Sequence, residues 1–237
     1  MQVYIGVNLG SPGERVLKGT ASELAEIPCA DLAVMLVLNP NSVNPFEPVR
    51  DEMLTRAKVP MTKEEVRWVS VARLGVQPGD TVWDVGAGTG AVTFELARKA
   101  MDGAVFAVER NTEAIELIAQ NRQKLGGFNV HIVQGHAPEV LADLPKPNCV
   151  FVGGSGGNMR EIIEAALMKN PKARIAVNAI ALETLQETQR LFAEFGLQQV
   201  EITQLSAARG KSIGCYTMMT ANNPVFILSG KGDKYGE

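Results

Sequence analysis

Val82-Trp83-Asp84-Val85-Gly86-Ala87-Gly88-Thr89-Gly90 is an apolar run that breaks into alternating glycines and leads into an amphipathic stretch at Ala91. Glycine takes positive φ at no steric cost and lets a ligand approach the backbone where a Cβ would block it. The pattern predicts a buried strand, a tight bend and a helix N-terminus, with a nucleoside-sized ligand beyond the carboxyl end of the strand. A strand of this kind belongs to a mainly parallel sheet covered by helices on both faces.

Two ligand classes use such a bend. Gly86, Gly88 and Ala91 satisfy the G-x-G-x-x-A form of a dinucleotide site. Asp84, two residues before the first glycine, argues against that ligand, because a pyrophosphate at the helix N-terminus would meet a charge of its own sign. S-adenosylmethionine has an ammonium and a sulfonium and no phosphate, so an acid there favours it. The helix N-terminus is then free to receive its carboxylate. Glu109 ends the next expected strand, 19 residues after Gly90, where an acid accepts hydrogen bonds from ribose hydroxyls. Such a charge-assisted bond is worth roughly 1.5–3 kcal/mol. The third strand ends in Gln134-Gly135-His136-Ala137-Pro138, which places His136 or the Ala137 backbone against the adenine.

A second glycine run, Gly153-Gly154-Ser155-Gly156-Gly157, follows the fourth expected strand. Four glycines around one serine keep side chains away and leave backbone amides open to a large, flat or anionic ligand. The substrate is therefore expected at Gly154, Ser155, Gly156 and Gly157. Asn178, at the end of the fifth strand, faces the same region, and Arg56, Lys58, Arg209 and Lys211 are cations within reach of substrate carboxylates. No histidine or acid constellation marks a catalytic base, and the catalytic residue is left unassigned.

Outward from the bend, strands are expected at 81–85, 104–108, 130–134, 150–153, 174–178, 199–205 and 224–229. Helices are expected at 62–73, 91–100, 112–125, 159–168 and 182–195, the first opened by a capping box of Thr62 and Glu65. The fold is α/β, a Rossmann-like seven-stranded, mostly parallel sheet with an antiparallel last strand. Residues 55–231 form this domain, followed by a tail at 232–237. Residues 41–54 read as a linker on their prolines and asparagines. Residues 1–40 contain a strand at 3–7, a helix opened by Thr20 and Glu23, and a buried-type strand at 32–38. They are too few to bury a core of their own and read as the remnant of a larger domain.

Composition narrows the function. Apolar residues are 46% and charged residues 21%, values of a globular protein. A net charge of -3 supplies no basic field for nucleic acid. The Asn/Asp-Pro-Pro-aromatic run of nucleobase amino-methylating enzymes and a Pro-Cys nucleophile are both missing from the sequence. Cys29, Cys149 and Cys215 have neither disulfide nor zinc spacing, which points to the cytoplasm. The longest strongly apolar run, Leu32 to Leu38, falls well short of a membrane span. An RNA or protein methyltransferase, and a noncatalytic donor-binding subunit, stand as alternatives to a small-molecule enzyme.

Lys58-Val-Pro-Met-Thr-Lys-Glu-Glu65, Trp83-Asp-Val-Gly-Ala-Gly-Thr-Gly90, Phe151-Val-Gly-Gly-Ser-Gly-Gly157 and Asn223-Pro-Val225 together resemble the precorrin C-15 methyltransferases (decarboxylating) of cobalamin synthesis. The resemblance spans about residues 50–231. It implies a class I S-adenosylmethionine-dependent fold and methylation of carbon 15 of precorrin-6B or its cobalt form, with loss of the ring-C acetate carboxylate. It also implies a tetramer, and a cofactor set of Thr62, Asp84, Gly86, Ala87, Gly88, Gly90, Glu109, Arg110, His136, Ala137 and Gly153. His136 departs from the family, which often has aspartate there. Gly6-Val-Asn-Leu-Gly10 and Gly13-Glu-Arg15 resemble the end of a fused C-5 methyltransferase domain.

Overall fold

The structure, a computed structural model, describes residues 1–29, 32–39 and 47–233, which fall into two units, Met1–Asn44 and Pro45–Glu237.

The first unit holds β1 (Gln2–Val7), β2 (Arg15–Thr20), α1 (Ala21–Leu24) and β3 (Ala33–Leu38). Its antiparallel sheet has the order β2-β1-β3. Thr20 caps α1 in the expected capping box with Glu23. The apolar run at 32–38 is a strand, but every side chain of β3 is exposed. One sheet and a one-turn helix offer too little surface to cover it. β2 was not expected.

The second unit contains α2 (Glu64–Leu74), β4 (Thr81–Val85), α3 (Ala91–Lys99), β5 (Ala104–Glu109), α4 (Thr112–Leu125), β6 (Val130–Gln134) and β7 (Cys149–Val152). It continues through α5 (Met159–Lys169), β8 (Arg174–Ala179), α6 (Leu182–Glu194), β9 (Gln198–Leu205), β10 (Ala208–Ile213), β11 (Tyr216–Ala221) and β12 (Val225–Lys231). The seven-stranded sheet has the order β6-β5-β4-β7-β8-β12-β9. β4 pairs in parallel with β5 and β7, while β12 is antiparallel to both β8 and β9. Strand order reverses at β4, so its carboxyl end is the crevice where a doubly wound sheet binds ligands.

The β-period sorts the sheet residues onto two cores. Val82, Val105, Phe151 and Ala176 pack with α2, α3 and α4 through Val71, Phe94 and Ile118. Trp83, Val85, Val150 and Val177 pack with α5 and α6 through Met159, Ile162 and Phe192. Each fully buried side chain of this size contributes roughly 1.5–3 kcal/mol. α4 begins at an Asn111 cap, whose side chain accepts from the Ala114 amide at 3.2 Å, and ends at Gly126.

Three local expectations are corrected. α2 starts at Glu64 with Lys63 as its cap residue and no side-chain capping bond, so Thr62 and Glu65 form no capping box. Residues 47–54 are packed chain rather than free linker, with Val49 and Leu54 buried in the first of these cores. The rest of the expected linker, 41–46, lies outside the described residues. Between β9 and β12 the chain also folds into an exposed hairpin, β10–β11.

Candidate active site

A cavity of about 580 Å³ opens at the carboxyl ends of β4, β5, β7 and β8. Its floor is the glycine bend. The backbone amides of Gly86 and Ala87 both donate to the Val108 carbonyl, tying the bend to β5. Gly86 takes φ 73°, and a Cβ there would lie 2.5 Å from the Gly154 carbonyl oxygen. The two glycine runs thus touch backbone to backbone, and the Gly153 amide donates to the Val85 carbonyl at 2.9 Å.

Two carboxylates line the cavity, and they sit in different environments. Glu109 is held by main chain, with Oε2 accepting from the Gly88 amide at 2.9 Å and Oε1 accepting from the Arg110 and Asn111 amides. It joins the bend to the start of α4, and its remaining lone pairs are free for a ligand hydroxyl. Asp84 is fully buried. The Thr93 hydroxyl donates to its Oδ2 at 2.5 Å, while its Oδ1 has no partner among the described residues. Burial pushes the Asp84 carboxyl up to about 7, the Thr93 bond opposes this, and the Glu109 charge adds to it. A lone buried carboxylate oxygen at the edge of a cavity is a fitting receptor for a ligand cation.

Of the cofactor residues expected from sequence, Thr62, Asp84, Gly86, Ala87, Gly88, Glu109, Arg110, His136, Ala137 and Gly153 line the cavity. Gly90 does not. It turns the chain into α3 at φ 78° and faces Phe94 and Ile118 in the core. His136 Nδ1 lies 3.1 Å from a carboxylate oxygen of Glu139, which accepts the hydrogen bond. Its Nε2 and the Arg110 guanidinium each lie 3.7 Å from where a Cβ on Gly156 would stand.

On the substrate side, Gly154, Ser155, Gly156 and Asn178 line the cavity, whereas Gly157, Lys58, Arg209 and Lys211 do not. Gly157 and Lys58 are exposed. Lys211 is exposed on β10, opposite Met218 of β11. Arg209 is committed elsewhere, donating to Glu65 at 2.6 and 2.7 Å and to Asp51 at 3.0 Å. These bonds fasten the hairpin to the start of α2 and hold the Glu65 carboxyl below its usual range. Arg67, fully buried, continues the network, donating to Asp51, to the Thr62 carbonyl and to the Val49 carbonyl. Asn178 Oδ1 meets the Ser70 hydroxyl at 2.9 Å.

The structure adds cavity residues that sequence reasoning missed: Val59, Met61, Lys63, Ile180, Asn222 and Asn223. As segments, residues 58–65 and 223–225 stood out in the sequence only by family resemblance, and nothing local showed that they converge. Among the described residues there is no cluster of His, Cys, Asp and Glu able to hold a metal ion.

Comparison with known proteins places this geometry. The description "Precorrin methyltransferase domain" matches residues 55–231. A probable cobalt-precorrin-6B C(15)-methyltransferase (decarboxylating) of Pyrobaculum calidifontis is 43% identical over 184 residues, 76% of this chain and 94% of that protein. The crystal structure of precorrin-6y C5,15-methyltransferase from Geobacter metallireducens superposes with a TM-score of 0.73 at 36% identity, covering 77% of this chain and 97% of the other. Precorrin 8w decarboxylase of Methanobacterium thermoautotrophicum gives a TM-score of 0.72 at 38% identity, covering 77% and 98%.

Proposed function

The chain belongs to the precorrin methyltransferase family, and from that premise we propose that it methylates carbon 15 of precorrin-6B or cobalt-precorrin-6B with loss of the ring-C acetate carboxylate. The observation that carries the reading is the unpartnered Oδ1 of buried Asp84 in the same cavity as the amide-held Glu109. That pair suits a cationic nucleoside without phosphate.

S-adenosylmethionine, when bound, supplies an electrophilic methyl group. Glu109 accepts from the ribose hydroxyls, and Asp84 Oδ1 accepts from the ammonium in its ionised form. The backbone at Gly135–Ala137 borders the adenine. The second glycine run, stripped of side chains, lets the reacting edge of the macrocycle reach the donor. A bond would form between carbon 15 and the methyl carbon as the methyl–sulfur bond breaks, its electron pair staying on the sulfur of the departing S-adenosylhomocysteine. The bond to the acetate carboxyl carbon breaks, carbon dioxide leaves, its electron pair enters the conjugated ring, and a proton completes the ring-C methyl. The ring supplies both nucleophile and electron sink, so the protein's work is alignment and exclusion of water. His136 is the one imidazole lining the cavity among the described residues, and it is engaged with Glu139. This accords with a reaction that demands no strong general base.

The active form is a homo-oligomer, tetrameric by family resemblance. Ile213, Tyr216 and Met218 share one face of the β10–β11 hairpin and are each more than half exposed, an apolar surface that a second copy would cover. The cytoplasm is its compartment, supported by three cysteines that remain thiols. No helix among the described residues is long and apolar enough to cross a membrane. Residues 1–40 resemble the end of a tetrapyrrole methylase domain, and 55–231 form the catalytic domain.

Incubation with methyl-labelled donor and cobalt-precorrin-6B tests the proposal. The expected result is one carbon dioxide released per methyl transferred. Methyl transfer without decarboxylation, or neither product, overturns it.

A further inference from the structure

The charges lining the cavity are divided. Both of its carboxylates, Asp84 and Glu109, stand at the ends of β4 and β5. Towards the other side, at the end of β8 and just before β12, the lining is Asn178, Ile180, Asn222 and Asn223, with Lys63 entering from the start of α2 and no acid among the described residues. Lys63 immediately precedes α2, which packs on that side through Val66 against Val225 and Ile227. It is half-buried, and its ammonium has no hydrogen-bond or ion-pair partner among the described residues.

The acids that open α2, and the buried acids bonded to it, are already occupied. Glu65 pairs with Arg209, Asp51 is shared by Arg67 and Arg209, and Glu64 accepts from the Asp51 amide and lies near Arg50 and Arg209. Glu95 accepts from the Val49 amide and the Trp68 indole. Lys63 is therefore left as a lysine charge facing a cavity whose own acids stand at its opposite side. A cationic donor belongs beside Asp84 and Glu109, which repel a carboxylate-bearing substrate. The acid-free side is where an anion can be accepted.

We propose that Lys63 receives a carboxylate of the substrate at the β8–β12 side of the cavity and so selects for polycarboxylate macrocycles. This rests on the reading of the cavity as a corrin-precursor methylation site and names the group that recognises the substrate there. Arg110, the other cation of the lining, follows Glu109 directly and belongs to the donor side. Asn222 and Asn223 flank the lysine's side with amides able to donate to the same oxygens.

The test is equilibrium binding of cobalt-precorrin-6B to protein saturated with S-adenosylhomocysteine, followed by the visible absorption of the corrinoid. Lys63→Ala is expected to weaken corrinoid binding about tenfold, the loss of one charge-assisted hydrogen bond. Lys63→Arg should stay within about threefold of wild type, and added salt should narrow the gap between wild type and Lys63→Ala. Calorimetry with S-adenosylhomocysteine should give the same affinity for wild type and both variants, which also shows that they fold. Equal corrinoid affinity for wild type and Lys63→Ala overturns the inference while the proposed reaction stands. A parallel loss of S-adenosylhomocysteine affinity overturns it too, by moving Lys63 to the donor side. A wild type that binds no corrinoid brings down both the inference and the reading beneath it.

Discussion

Replacing Asp84 with asparagine removes a charge that the ligand-free fold holds at a cost and that the donor is expected to use. The carboxyl is fully buried and shifted from 3.8 to about 7. At about 1.36 kcal/mol per pH unit, that gap corresponds to about 4 kcal/mol. Between those pH values the unfolded carboxyl is ionised while the folded one keeps its proton. The stabilising contribution is thus complete below about pH 4 and lost once the pH passes about 7. Asparagine is neutral throughout and keeps an acceptor for the Thr93 hydroxyl. It also places an amide where Oδ1 has no partner, and an unsatisfied buried donor costs about 1–3 kcal/mol. The balance is a gain of about 1–3 kcal/mol at pH 8. At roughly 2–4 °C per kcal/mol for a chain of this length, Tm rises by several degrees. At pH 4.5 the gain is absent. S-adenosylhomocysteine, which keeps the ammonium, should bind the variant at least about tenfold more weakly at pH 8, as expected for a lost charge-assisted bond. Scanning calorimetry and isothermal titration measure both quantities. A variant melting at or below wild type at pH 8, or one with undiminished affinity, refutes a buried, donor-facing charge at this position.

For wild type, the same carboxyl predicts that S-adenosylhomocysteine affinity falls as the pH drops from 8 to 6, by up to about tenfold per unit below 7; a flat titration series contradicts it. Glu109→Ala removes the acceptor of the Gly88, Arg110 and Asn111 amides together with the ribose contact, and should weaken S-adenosylhomocysteine binding at least several-fold by calorimetry. Arg209→Ala should leave donor and corrinoid affinities unchanged while speeding proteolysis within the β10–β11 hairpin, because its bonds go to Glu65 and Asp51 rather than to the cavity. Met218→Glu puts a charge on the apolar face of that hairpin and should lower the oligomer mass seen by light scattering without changing donor affinity.

The parts of the site legible in the sequence are those written in consecutive residues. The bend at Gly86–Gly90 and Glu109 declare themselves because strand, turn and helix follow one another, and the acid's position follows from the length of one helix. The run at Gly153–Gly157 is legible for the same reason. What escaped depends on long-range pairing. Arg209 looked like a free cation, but its acids lie 144 and 158 residues away. Lys63 was overlooked in favour of Lys58, since only the path of the chain before α2 decides which lysine reaches the cavity. Thr93 gave no signal either, because its bond to Asp84 is set by how α3 crosses the sheet. The β10–β11 hairpin was hidden by mixed polarity, with Gly210 and Lys211 set against Met218 and Met219, so neither strand face reads as buried. The exposed β3 marks the opposite failure, an apolar run whose burial the unit cannot supply.

The central claim is that a cationic nucleoside without phosphate occupies the hollow beyond β4. Titrating the full chain with S-adenosylhomocysteine and, separately, with NAD⁺ tests it most directly. One S-adenosylhomocysteine is expected to bind per chain, with no heat of binding from the dinucleotide. Saturable binding of NAD⁺ with none of S-adenosylhomocysteine would contradict it.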